Sequence, residues 1–148
     1  MTERHPTEIR PATADDAERI AALFTDEGYP AGPSDILERL GRFDSPHSRV
    51  LVADHDGEVL GFVAVHALPR FEHSDRIVRI MALVVEAGVR ERGIGRLLME
   101  AVRKAALAEG ISRLSWGVHK KNADALRFYE ALGAQYSHDT YFMYLDLQ

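Results

Sequence analysis

Residues 76–108 read RIVRIMALVVEAGVRERGIGRLLMEAVRKAALA, and the fold is decided here. Positions 77–85 are almost unbroken apolar sequence rich in β-branched residues, the pattern of a strand covered on both faces. Further on, Ile94, Leu97, Leu98, Ala101, Val102 and Ala105 recur at the three-and-four spacing of one helical face. Between strand and helix stand Gly88, Gly93 and Gly95, with Arg90 and Arg92 among them. A glycine-rich turn that opens a helix presents N–H groups lacking an intrahelical acceptor, together with the positive end of the helix dipole. Such a site suits phosphate. Leu98 stands where the dinucleotide fingerprint needs its third glycine, and no Gly-Lys-Ser/Thr follows, so neither that fingerprint nor a P-loop fits.

Working outward, Gly110 ends the helix and residues 113–118 read as the next strand. Strand, helix and strand then form a right-handed βαβ crossover with parallel strands. Upstream, residues 50–53 and 59–68 read as two strands joined by Asp54-His55-Asp56-Gly57, and Asp-Gly is a hairpin signal. Residues 8–10 form a short first strand that Pro11 ends. Thr13-Ala14-Asp15-Asp16 has the form of a capping box, and Ala17, Ile20, Ala21 and Phe24 mark the inner face of a first helix. Gly28-Tyr29-Pro30-Ala31-Gly32-Pro33 breaks it, and Ser34 caps a second helix through Leu40. Downstream, Asn122 is an N-cap, Ala125, Phe128, Tyr129 and Leu132 make an apolar stripe, and Gly133 is a stop. Residues 134–138 and 141–147 read as a closing antiparallel hairpin. Its last strand, Tyr141-Phe142-Met143-Tyr144-Leu145, either pairs with a second copy in a homodimer or is buried in its own sheet.

The 148 residues fit one domain, 1–148, and 46% hydrophobic with 28% charged residues is a globular composition. Without cysteine there is no disulfide, thiolate metal site or cysteine nucleophile, and no metal site is expected. No apolar run reaches the roughly 20 residues of a membrane span, so no membrane partner is expected. The polar N-terminus lacks a signal-peptide core, which makes the cytoplasm the expected location. A net charge of −5 speaks against nucleic acid.

Arg90-Glu91-Arg92-Gly93-Ile94-Gly95, an R-x-x-G-x-G with Leu83-x-Val85 before it and Gly95-Arg96-Leu97-Leu98 after it, resembles the acyl-CoA pyrophosphate loop of the GNAT N-acetyltransferase superfamily. Ala87 and Glu91 depart from the usual pattern without removing a backbone donor. Residues 116–134 carry a second resemblance, to the family's other signature, N-x-x-A-x-x-F-Y-x-x-L-G. The resemblance implies an α/β (α+β) fold: a mixed, mostly antiparallel sheet with a central parallel βαβ crossover and helices on both faces. It implies an enzyme that moves the acetyl group of acetyl-CoA to an amine of a small molecule or peptide, by direct attack in a ternary complex.

By position, the backbone of Arg90, Glu91, Arg92, Gly93, Ile94, Gly95 and Arg96 would hold the pyrophosphate. Leu83, Val84 and Val85 would pair with the pantetheine amides, a bulge nearby would open the slot, and Asn122 would touch the pantetheine arm. Tyr129 would be the catalytic acid for the leaving thiolate. Because this region flanks the acceptor site in the family, Phe24, Tyr29 and Phe43 would be candidate substrate-facing residues. Arg79 and Gly117 stand where family members carry glutamate bases, which leaves Glu72, His73, Asp75, His119 or water as the base. Arg79 itself reads either as half of an internal ion pair or as an acceptor-site cation. The competing function is a regulatory module that binds acyl-CoA and does no chemistry.

Overall fold

In the computed structural model, residues 6–148 are described, apart from the side chain of Glu91. Five strands form one sheet in sequential order: β1 (Glu8–Pro11), β2 (Ser48–His55), β3 (Glu58–Pro69), β4 (Arg76–Val85) and β5 (Leu114–Ser115). The first four pair antiparallel, and β4 pairs parallel with β5. Short connections give the antiparallel pairs. Asp56 and Gly57 both take positive φ, 52° and 85°, and so make the two-residue turn that joins β2 to β3. The parallel pair is joined through α3 (Ile94–Ala108). Two further helices, α1 (Ala17–Asp26) and α2 (Pro33–Arg42), lie between β1 and β2.

Cross-strand rows show what each face covers, because directly paired residues share a face. Val52, Phe62 and Val84 form one row, and they pack with Ile20, Leu23 and Ile36 of α1 and α2. Leu51, Val65, Ala67 and Val78, on the opposite face, line a groove with Val102, Ala105 and Ala106 of α3. Helices therefore cover both faces of the sheet. The inner stripe of α3 is turned slightly from its sequence pattern: Met99 and Ala106 are buried with Ile94, Leu98 and Val102, while Leu97 is 42% exposed.

The ladder between β3 and β4 contains an irregularity. Ala64 pairs with Ala82 but Val65 pairs with Ile80, so Met81 is an extra residue in β4. This bulge leaves Met81 60% exposed inside a strand whose pattern predicts continuous burial.

Several expectations change. The second helix is capped at Gly32, whose N–H donates to the Asp35 carboxylate at 2.8 Å, and not at Ser34, which lies inside the helix. Strand β5 keeps two residues of the six expected. The chain groups into two compact units, one ending at Trp116 and the other running Gly117–Gln148, and the expectation of one domain stands as it was. The second holds α4 (Ala123–Ala131), and no ladder includes residues 134–148 among those described. The expected hairpin of 134–138 and 141–147 is absent, and Tyr141, Met143 and Tyr144 are about nine-tenths exposed. Aromatic strand propensity reflects packing on a paired sheet, and without a ladder partner it makes no strand. Among the described residues no helix is long and apolar enough to cross a membrane.

Asp16 is the buried charged residue of the described chain, 6% exposed. Arg10 donates two 2.9 Å hydrogen bonds to its carboxylate, and the Thr13 N–H donates a third at 2.7 Å. The same guanidinium reaches Asp54 at 3.0 Å, so β1, the start of α1 and the end of β2 are tied at one point. Arg10 in the first place, then the Thr13 amide, holds the Asp16 carboxyl below the usual carboxylate range against the opposing effect of burial. A depressed folded pKa stabilises above the unfolded value, about 3.9, and the gain is lost as pH falls through the folded value. Asp16→Asn is expected to cost about 1.5–3 kcal/mol at pH 7, read from urea midpoints. The gap to wild type should narrow as pH drops below about 4. A gap independent of pH would show that the charge contributes nothing.

Candidate functional site

The glycine-rich turn follows directly from the end of β4. The Glu86 N–H donates to the Leu60 carbonyl at 2.8 Å, which continues the β3 connection by one residue. A 3-10 turn covers Ala87–Arg92, and Gly93 closes it at φ 77° and ψ 17°. Only glycine takes that left-handed conformation without steric cost. The first α3 donor with an intrahelical carbonyl is Leu97, bonded to Gly93 at 3.0 Å. Helix geometry leaves the N–H groups of Ile94, Gly95 and Arg96 without an intrahelical acceptor. No acidic residue occupies the first turn of this fifteen-residue helix, and Arg92 and Arg96 are exposed beside it. These are the elements of an anion site. The main chain of Glu91 belongs to the 3-10 turn, while its side chain lies outside the described residues.

Gly61 lets the helix start come this close. A Cβ there would lie 2.8 Å from the Val84 carbonyl oxygen and 3.3 Å from side-chain carbons of Ile94 and Val85. Two ion pairs fasten α1 to the turn: Arg19 with Glu86 at 3.2 Å, and Arg90 with Glu27. Arg19 also donates to the Val59 carbonyl at 2.9 Å, and Arg90 to the Val85 carbonyl at 3.4 Å. The Arg90 side chain is thus engaged within the protein, and its amide is the group the turn can offer a ligand.

Leu83, Val84 and Val85 lie on the β4 segment beyond the bulge. The β4–β5 ladder consists of Val78 with Leu114 and Arg79 with Ser115. Among the described residues, no strand pairs with that side of β4 from Ile80 onward. Bulge and short partner strand together leave a main-chain edge that leads from mid-strand to the glycine-rich turn.

On the α1–α2 side, Phe24 meets Phe62 edge-on at 4.8 Å and Tyr29 at 6.3 Å, and the Arg39 guanidinium lies 5.7 Å from the Phe24 ring centre. Tyr29 is exposed and Phe43, at the C-cap of α2, is half-buried. Among the base candidates, Asp75 is hydrogen-bonded to Arg70 at 2.8 Å, which holds its carboxyl below the usual range and weakens it as a base. Glu72 and His73 are exposed in the same loop. Two residues that the sequence reading passed over, Ser48 and His66, are joined at 2.8 Å between Oγ and Nδ1. Their only sequence signal is polarity at inward positions of alternating strands.

In the second unit, Asn122 caps α4 by accepting from the Ala125 N–H at 3.1 Å. The His119 Nδ1 accepts from the Lys121 N–H at 3.2 Å. Tyr129 is half-buried, its ring 5.2 Å from that of Phe128, and burial pushes its hydroxyl up from the ordinary value. The phenol therefore keeps its proton at neutral pH.

Residues 14–134 match the acetyltransferase (GNAT) family. The chain is 27% identical over 143 residues to an aminoalkylphosphonate N-acetyltransferase of Salmonella typhimurium, covering 88% of this chain and 86% of the relative. It is 46% identical over 46 residues to an L-ornithine N5-acetyltransferase of Arabidopsis thaliana, which is 31% of this chain and a fifth of the length of that relative. A crystal structure of a transcriptional regulator from Bacillus halodurans superposes with a TM-score of 0.85 at 23% identity, over 94% of this chain and 99% of that one.

The close approach at Gly61 gives a direct test of how the helix start is seated. Gly61→Ala forces a methyl against the Val84 carbonyl and is expected to cost about 1–3 kcal/mol, read from denaturant midpoints. A neutral substitution would mean that β3 and β4 shift apart there freely.

Proposed function

The chain belongs to the GNAT acetyltransferase family, and from that premise we propose that it transfers the acetyl group of acetyl-CoA to an amine of a small molecule or peptide. The carrying observation is the pairing of a left-handed Gly93 with the donor-rich start of α3 at the end of a half-paired β4. The residues fit the co-substrate: the N–H groups of Ile94, Gly95 and Arg96 suit the pyrophosphate, and the main chain of Leu83, Val84 and Val85 suits the pantetheine amides as an added strand. Asn122, with its amide oxygen committed to the helix cap, has its NH2 for the pantetheine arm. The names of both curated relatives specify a small amine as acceptor, which supports a small molecule over a protein terminus.

Acetyl-CoA supplies an activated thioester; the protein orients, desolvates and manages protons. A primary alkylamine, with a pKa near that of lysine at about 10.4, arrives protonated and must first lose a proton. Asp75 is tied to Arg70, which leaves Glu72, His73, His119 or water to take that proton. As the C–N bond forms and the C–S bond breaks, the departing sulfur takes up a proton, and Tyr129 is the group proposed to give it. Holding amine and thioester together provides the remainder of the acceleration.

Co-substrate affinity should depend on backbone donors more than on arginine side chains. Gly93→Val and Gly95→Val are expected to weaken acetyl-CoA binding about 10- to 100-fold by calorimetry, the value of charge-assisted hydrogen bonds. Arg92→Ala, which removes an exposed charge, should cost no more than about fivefold. Equal losses would transfer the binding role to side chains.

Tyr129→Phe removes one hydroxyl and keeps the ring. Acetyl-CoA affinity should hold while kcat falls about 10- to 1,000-fold, with folded fraction checked by thermal melts. Wild-type kcat in that variant would make Tyr129 structural. Acetyl-CoA binding without acetylation of any amine would favour the non-catalytic binding module.

A further inference from the structure

Ser48 pairs with His66, His66 with Arg79, and Arg79 with Ser115, so four polar residues form one row across strands β2 to β5. All four are half-buried. The neighbouring rows are apolar: Val50, Ala64 and Ala82 on one side, Leu68 and Ile77 on the other. The row lies on the sheet face that carries Phe62 and Val84, the face toward α1 and α2. A sheet needs no such row for its stability, since polar groups drawn partly out of water cost free energy that valine or alanine would not.

Resting on the acetyl-transfer reading, we propose that this row reads an acidic group on the acceptor, so that the substrate is a short amine bearing a carboxylate or phosphonate. The charge fits, because the row holds a guanidinium, an imidazole and two hydroxyls but no carboxylate. A guanidinium offers a planar fork of donors that matches two oxygens of one acid group. In the tautomer where Ser48 donates to Nδ1, the proton-bearing nitrogen of His66 is Nε2, a second donor. The place fits as well. Arg79 is the last β4 residue paired with β5, and the unpaired edge proposed for the pantetheine arm begins just past it. From the row of Arg79 to that of Leu83 is three residues along β3, about 10 Å at the rise of a strand. A long arginine side chain and a short bifunctional amine span that interval together.

The test uses the full chain with acetyl-CoA and matched amines that differ in the acid alone: β-alanine against β-alaninamide, and 2-aminoethylphosphonate against its dimethyl ester. Acetylated product is measured by mass spectrometry. Wild type should favour the acidic member of each pair about 10- to 100-fold in kcat/KM. Arg79→Gln should bring that ratio close to one, and Arg79→Glu should turn the preference toward 1,3-diaminopropane. Where a melt shows that Arg79→Glu does not fold, Arg79→Lys and His66→Gln carry the test, each expected to shrink the ratio partially. An unaltered ratio in Arg79→Gln, or equal rates for acid and neutral amines in wild type, overturns the inference and leaves acetyl transfer standing. Acetylation of no amine at all overturns the transfer reading, and the inference falls with it.

Discussion

The β3–β4 ladder accommodates one residue more on β4 than on β3, and the site is arranged around that mismatch. Simple alternation would place Arg79, Met81, Leu83 and Val85 on one face. With Met81 inserted, Arg79 shares a face with His66 and Phe62, while Leu83 and Val85 share the other with Gly61 and Val63. One strand thereby serves both faces of the molecule with opposite halves. Before the bulge it presents Arg79 on the α1–α2 side, and after it a main-chain edge that runs to the glycine-rich turn. Removing the extra residue would exchange the faces of one half, which the buried Val78 and Val84 rows forbid.

The turn after β4 has its Arg90 side chain engaged by Glu27 and the Val85 carbonyl, so backbone N–H groups are what it presents, and its surroundings follow from that. Backbone donors must be aimed, so the helix start has to be seated closely, and Gly61 makes room for it. The ion pairs Arg19–Glu86 and Arg90–Glu27 bracket the turn from α1. Their side chains are a quarter to a half exposed, where such pairs contribute about 0–1 kcal/mol each. Their value is positional: they link the turn to the helix whose end carries Phe24 and the approach to Tyr29. By contrast, the Arg10–Asp16 pair is largely shielded and multiply hydrogen-bonded, and it lies far from the turn in sequence, at the other end of α1.

Much of this was legible in the chain. Asp56-Gly57 announces its hairpin because the turn demands positive φ at both positions. The strand–turn–helix of residues 76–108 is written in a change of period from continuous apolar to three-and-four. Gly93 marks the turn before α3 because its left-handed backbone, at φ 77°, favours glycine. Asn122 and Gly133 bracket α4 for equally local reasons, a cap and a left-handed stop. What failed depended on partners. The aromatic run at 141–145 has strand propensity but no ladder, Ser34 lost its capping role to a backbone amide and Asp35, and Leu97 faces solvent where the stripe would have it inside.

The Asp56-Gly57 hairpin and the glycine-rich turn that opens α3 were thus determined by the sequence alone, because both arise from neighbouring residues obeying steric and hydrogen-bonding rules. Which face each β4 residue occupies, and which side chains meet across strands, was decided only by the tertiary structure. A bulge is a relation between two strands and leaves no mark in the period of either one. Ser48 and His66 are eighteen positions apart, and Arg79 and Ser115 belong to two further strands. Only pairing in register places them in a single row.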